Sequence, residues 1–184
     1  MLAWFYDIHA LEKSENKGLA LYAAIETENF AKLINLYEHV PTMLAMWHRE
    51  TGYRSVYGDD GKSFGITQTL RKKEKKWREY WRLRDVELPS IDDPMTQIAF
   101  GVAEFDYCLQ LAQGDEFDAV RRYNGGNNGG AGLRRARLYA RKVFQSRKNI
   151  FGIDLPDTPA AKAAYYERDR ILRAKPKPQH RPLK

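Results

Sequence analysis

The residue best placed for chemistry is Glu50. The run Pro41-Thr42-Met43-Leu44-Ala45-Met46-Trp47 reads as a buried helix started by proline and ending near Thr51-Gly52. That puts Glu50 on the last turn of an apolar, Trp-containing helix, facing a segment rich in Tyr and Gly. In such a setting the charged carboxylate is disfavoured, so its pKa rises toward neutrality and it can serve as a proton donor. A helix-end glutamate is by itself most often a surface residue, so its surroundings must carry the argument. Other chemistries lack their residues. His9, His39, His48 and His180 show no ligand spacing, and His48, two positions from Glu50, falls on a different side of the helix. Neither a metal nor a cofactor is expected, since phosphate-loop, dinucleotide-binding and nucleophile-elbow patterns are also missing. Cys108, in the run Phe105-Asp106-Tyr107-Cys108-Leu109, reads as a small buried hydrophobe. Within the hairpin region Asp59 and Asp60 are the acidic candidates for a second carboxylate, but Asp59-Asp60-Gly61-Lys62 reads better as a turn.

The elements that must position Glu50 follow from hydrophobic periodicity. Residues 18–40 predict one or two amphipathic helices, with Leu19, Leu21, Ala23, Phe30, Leu33 and Tyr37 mostly at helical spacing. Between Gly52 and Gln68 the pattern changes to Tyr, Val, Phe, Ile and Thr around a turn, a short β-hairpin or ordered loop. Residues 70–84 predict a basic helix with an inward stripe of Trp77, Tyr80, Trp81 and Leu83. Pro89 and Pro94 bracket a loop, after which Ile98, Val102, Phe105 and Leu109 mark another helix. A short helix over 117–123 precedes the run Asn124-Gly125-Gly126-Asn127-Asn128-Gly129-Gly130, expected to be a loop. A last helix is expected over 133–144.

Several short segments carry a resemblance when read together. Residues 41–53, Pro-Thr-Met-Leu-Ala-Met-Trp-His-Arg-Glu-Thr-Gly-Tyr, resemble the helix of the soluble-lytic-transglycosylase-like family that ends in a Glu-Ser pair followed by an aromatic. Gly65-Ile66-Thr67-Gln68 resembles that family's Gly-Leu-Met-Gln segment. Asp93-Pro94 with Gln97-Ile98-Ala99-Phe100-Gly101 resembles its Asp-Pro, Asn-Ile-x-x-Gly helix, and Tyr123-Asn124-Gly125-Gly126 its Ala-Tyr-Asn-Ala-Gly segment. Tyr139-Ala140-Arg141-Lys142-Val143 is similar to the helix that closes the domain. Each segment is weak alone; their order over roughly 41–144 is what carries the likeness. Thr51 stands for the usual serine, Thr67 for methionine, Gln97 for asparagine and Arg122 for alanine. Thr51 keeps a hydroxyl and Gln97 an amide, so their hydrogen-bonding capacity is retained.

The resemblance implies a mainly α, lysozyme-like fold with a small β-hairpin beside a sugar-binding cleft, over residues 1–155. It implies a lytic transglycosylase in which Glu50 protonates the glycosidic oxygen between N-acetylmuramic acid and N-acetylglucosamine, then acts as base toward the muramyl C6 hydroxyl. It further implies substrate-binding roles for Thr51, Gly65, Ile66, Gln68, Gln97, Tyr123 and Asn124, with Tyr123 orienting Glu50 through its hydroxyl. Hydrolysis, as in goose-type lysozymes, is the alternative and would need a second carboxylate. A catalytically degenerate basic binding module is the other.

Composition bounds the class without choosing the partner. At 184 residues and 43% hydrophobic the chain can build one compact domain with a core, and a single cysteine rules out a disulfide framework. The formal charge of +7 points to an anionic partner, and nucleic acid, an anionic membrane surface or a cell wall would each satisfy it; the choice comes from the resemblance. Peptidoglycan glycan strands are the expected one, with nucleic acid disfavoured. Five of the eight prolines lie beyond Leu155, so residues 156–184 are expected to be a Pro-rich basic tail with a helix over 160–173. Such a tail would dock to an anionic wall polymer, a membrane surface, or a virion or secretion component. Asp7, Glu12, Lys13 and Glu15 interrupt the apolar opening before a signal-peptide core forms. The expectation is a phage-type or secretion-associated enzyme made in the cytoplasm and acting on the wall after release or delivery.

Overall fold

The computed structural model describes residues 17–125 and 131–153. These lie in the first of two units, Met1–Ile153 and Asp154–Lys184. The expectations for the N-terminal opening, for residues 126–130 of the glycine-rich run and for the 156–184 tail therefore fall outside the described residues.

The described chain is mainly helical, with six α-helices and a small antiparallel sheet. Helix α1 spans Lys17–Leu33, and a 3-10 turn, Tyr37–His39, leads directly into α2, Val40–Thr51. Pro41 sits in the first turn of α2, where its missing N–H costs nothing. Met43, Leu44, Ala45, Met46 and Trp47 are all fully buried, the mark of a helix covered on every side rather than lying on a surface. Trp47 accommodates its indole N–H in that core by donating to Thr27 Oγ1 of α1 at 3.0 Å. The helix stops at Gly52, whose left-handed φ of 61° lets its N–H close back on the His48 carbonyl.

Three two-residue strands follow: β1 (Tyr57–Gly58), β2 (Ser63–Phe64) and β3 (Thr69–Leu70). They pair antiparallel in sequence order, with Tyr57 opposite Phe64 and Ser63 opposite Leu70. The basic segment then begins as a 3-10 turn, Arg71–Lys73, and becomes α3, Glu74–Arg82. Its aromatic stripe packs as the pattern predicts: Trp77 and Trp81 are buried, and Trp81 donates to the Ala99 carbonyl at 2.8 Å. Leu83, expected in the stripe, is 55% exposed because the helix has ended one residue before it.

Helix α4, Pro94–Leu111, is capped by the Asp93 carboxylate, which accepts from Met95 N at 2.8 Å, with Pro94 at its first position. Cys108 is buried in it, and burial pushes its thiol up to about 12, so it is inert as a nucleophile. Helix α5 spans Glu116–Gly125 and α6 Ala131–Phe151. Two expectations are corrected here. Asn124 and Gly125 continue α5 instead of opening a loop, because Gly125 lies against α6 so closely that a Cβ there would sit 2.5 Å from Ala136 Cβ. Tight interhelical contact at glycine outweighs its low helix propensity. The last helix runs seven residues beyond 144, because Arg147 is buried on its inner face with a carboxylate partner. No described helix is long and apolar enough to cross a membrane.

Candidate active site

Glu50 is half-buried on the last turn of α2. Burial holds its carboxyl above the ordinary range, and the nearby Asp59 charge pushes the same way; the Tyr139 hydrogen bond and Arg49 oppose without reversing it. Tyr139, on α6, donates its hydroxyl to Glu50 Oε1 at 2.5 Å. Burial and the Glu50 charge raise the phenol's own pKa well above its ordinary value, so Tyr139 stays protonated and remains a donor. One carboxylate oxygen is thus held from behind by a phenol.

This corrects one assigned role. Tyr123 does not orient Glu50: its hydroxyl donates to the Thr67 carbonyl at 2.8 Å, while its ring lies 5.8 Å from that of Trp47. The reason is geometric. Tyr123 leaves α5 toward the hairpin, whereas α6 packs along α2 and brings Tyr139 to its C-terminal end. Tyr139 belongs to a segment of the family resemblance, but 89 residues separate it from Glu50, and no local spacing announces the pair.

The other expected site residues divide into a joined set and an outlier. Thr51 is buried and donates to the Ile66 carbonyl at 2.9 Å, tying the end of α2 to the β2–β3 connection immediately beside Glu50. Ile66 is fully buried, and its N–H donates to Gln97 Oε1 at 3.2 Å. Gln97 also accepts from Ser55 Oγ at 2.9 Å and donates to the Asp92 carbonyl at 3.2 Å, so both ends of its amide are engaged. Gly65 has φ of 76°, and a Cβ there would meet the Gln97 side chain at 2.5 Å; no other residue fits both the conformation and the space. Gln68, at φ of 52°, donates to the carbonyls of Val56 (3.0 Å) and Gly65 (2.9 Å) and accepts from Ser63 Oγ (3.0 Å). The visible work of Gln68 and Gln97 is to hold the hairpin in one shape against the helix that carries Glu50. Thr67 joins the same set through its hydroxyl, which donates to the Gln97 carbonyl at 2.9 Å. Asn124 stands apart, exposed on the last turn of α5.

Asp59 is the second residue whose role is visible only in three dimensions. It does open a turn, the 3-10 bend Asp59–Gly61, and both Asp59 and Asp60 sit in the left-handed region at φ of 49° and 54°. Yet the bend also brings the exposed Asp59 carboxylate close enough for its charge to act on Glu50. A strained backbone beside a perturbed carboxyl is the combination that marks functional loops.

What this arrangement can do is donate and take back a proton at one carboxyl whose acid form persists to higher pH than an ordinary glutamate's, next to a loop hydrogen-bonded by side-chain amides. Comparison of the chain with protein-family models, with curated proteins and with solved structures finds no match.

Proposed function

We propose that this chain is a lysozyme-like peptidoglycan lytic transglycosylase with Glu50 as its single acid and base. The observation that carries the reading is the environment of Glu50: a desolvated carboxyl with a raised pKa, oriented by the Tyr139 hydroxyl at 2.5 Å. The motif order along the sequence supplies the substrate class. Protonated Glu50 donates its proton to the glycosidic oxygen as the C1–O bond of the muramyl residue breaks. The substrate's own N-acetyl oxygen stabilises the positive charge at C1. The resulting Glu50 carboxylate then removes the proton from the muramyl C6 hydroxyl, whose oxygen closes onto C1 to give a 1,6-anhydro sugar. The Tyr139 hydroxyl stabilises the carboxylate between the two steps, when it is charged. The glycan strand is the partner, and the wall is where the enzyme acts.

A second reading, hydrolysis, is favoured by Asp59. Its exposed carboxylate acts electrostatically on Glu50 and could serve as the base that activates water on the opposite face of the sugar. Mass spectrometry of fragments released from purified peptidoglycan by the wild type, Glu50→Gln and Asp59→Asn separates the two. Anhydromuramyl ends that need Glu50 but not Asp59 establish the transglycosylase. Reducing ends that need both establish the hydrolase, and no release by the wild type overturns both.

A further inference from the structure

A pocket of about 400 Å3 opens on the sheet, lined by Gly61, Lys62, Leu70, Arg71 and Lys72. Three of these five residues are cations, and all three are exposed. Lys62 and Arg71 are direct cross-strand neighbours: the register that sets Ser63 opposite Leu70 continues through the Arg71 N–H, which donates to the Lys62 carbonyl at 2.8 Å. Like charges placed opposite each other destabilise a strand pair. Among the described residues no carboxylate lies within ion-pair distance of Lys62, Arg71 or Lys72, whereas the next cation along, Lys73, reaches Glu104 at 2.7 Å. Arg71 is steered by rings instead of by an acid, its guanidinium lying 5.5 Å from the Tyr57 ring centre and 5.9 Å from that of Phe64. Tyr57 is in turn anchored, its hydroxyl donating to Asp92 Oδ1 at 2.9 Å. The guanidinium is oriented while its N–H donors stay available to a ligand.

The pocket belongs to the same hairpin as the candidate active site. Lys62 N donates to the Asp59 carbonyl at 3.1 Å, and the other arm of the hairpin is tied through Ile66 to Thr51, the residue after Glu50. The cations and the ties to the end of α2 therefore lie on one continuous hairpin.

We propose that the exposed Lys62–Arg71–Lys72 cluster beside this pocket binds the carboxylates of the peptide stem carried by the muramic acid of the glycan strand, making this a peptide-sensing subsite of the enzyme. The inference rests on the peptidoglycan reading above. It gives the uncompensated cross-strand cations a purpose that stability does not, and it favours strands still bearing their peptides over denuded ones.

The test compares glycan strands with and without their peptide stems, the stems having been removed by an amidase. The double variant Lys62→Ala/Arg71→Ala should lose about fivefold in kcat/KM on peptide-bearing strands, the size expected for two exposed charge contacts. Its deficit on denuded strands should be much smaller. Lys75→Ala, an exposed cation on α3 outside the pocket, controls for net charge, and thermal melting confirms that the variants fold. Equal deficits on both substrates, or none on either, overturn the subsite while leaving Glu50-dependent cleavage intact. A deficit that disappears only when phosphate-bearing wall polymer is stripped overturns the peptide assignment in favour of phosphate. A wild type that cleaves neither substrate overturns the peptidoglycan reading and the subsite with it.

Discussion

Helix α2 has a glutamate at each end, and the two are treated oppositely. At its N-terminal end Glu116, reaching in from α5, is buried among His39, Thr42 and Arg147. His39 Nδ1 and Arg147 Nη1 each lie 2.9 Å from a carboxylate oxygen, and the Thr42 hydroxyl donates at 2.6 Å. Burial alone would push the Glu116 carboxyl up, but the His39 hydrogen bond and charge, the Arg147 charge and the Thr42 hydroxyl outweigh it and hold the group below its ordinary range. At the C-terminal end Glu50 has one phenol and a nearby negative charge, and its pKa goes up. The difference teaches what separates a structural carboxylate from a chemical one. Full neutralisation fixes a proton state, whereas partial desolvation with a single neutral donor leaves the proton free to move.

The sharpest break in the comparison is Glu50→Gln. It should reduce fragment release by at least about a thousandfold in a turnover assay, the upper range for loss of a general acid and base. It should not lower the melting temperature, since burial penalises the Glu50 charge and the glutamine amide still offers an oxygen to the Tyr139 hydroxyl. Glu116→Gln should do the reverse, costing about 3 kcal/mol in denaturant unfolding by removing the buried charge that His39 and Arg147 both face. Surviving activity should then fall only in proportion to the folded fraction.

The same pair predicts a pH window for stability. Burial pulls His39 down, but the Glu116 hydrogen bond and charge, with Glu38 adding, raise it above its ordinary 6.5; the Arg147 charge opposes. A raised histidine contributes fully below 6.5 and loses its contribution as pH rises through the higher folded value. Glu116 is lowered from 4.5, so it contributes above 4.5 and loses its contribution as pH falls through the lower folded value. Unfolding free energy should thus be greatest between these limits and decline on either side, and Glu116→Gln should flatten the profile. Glu50 works the other way around from Glu116: its raised pKa favours the fold while it is protonated, a contribution lost as pH rises.

Tyr139→Phe sharpens the other end of the comparison. The phenol favours the carboxylate form, so its removal should lower kcat about tenfold and move the alkaline limb of the pH–rate profile upward. A profile that does not move would show that the hydroxyl is structural. The smallest effect is expected at Thr51. Thr51→Val removes the hydroxyl that bonds Ile66 and should cost about 1 kcal/mol in unfolding, while Thr51→Ser should restore it.

Much of the framework was legible in the sequence because it rests on local rules. Proline at a helix start, Gly52 at a helix stop, Asp93-Pro94 as a cap and the Asp-Asp-Gly-Lys turn each act within a few residues and stand where these signals put them, whereas Leu70, expected to open a helix, pairs with Ser63 in a third strand and the helix begins at Glu74. The ends of α5 and α6 were misread because contacts from elsewhere, the Gly125–Ala136 approach and the buried Arg147, override local propensity. His39, passed over for want of ligand spacing, is an ion-pair partner 77 residues from Glu116.

The sequence alone determined that Glu50 ends a buried helix beside a hairpin, since periodicity and capping act over one or two turns. Only the tertiary structure decided which tyrosine holds Glu50, that Asp59 acts on it, and that Glu116 is neutralised while Glu50 is not. Those outcomes depend on side chains meeting across separations of up to 89 residues, and on how much water each carboxylate keeps, quantities that no local pattern encodes.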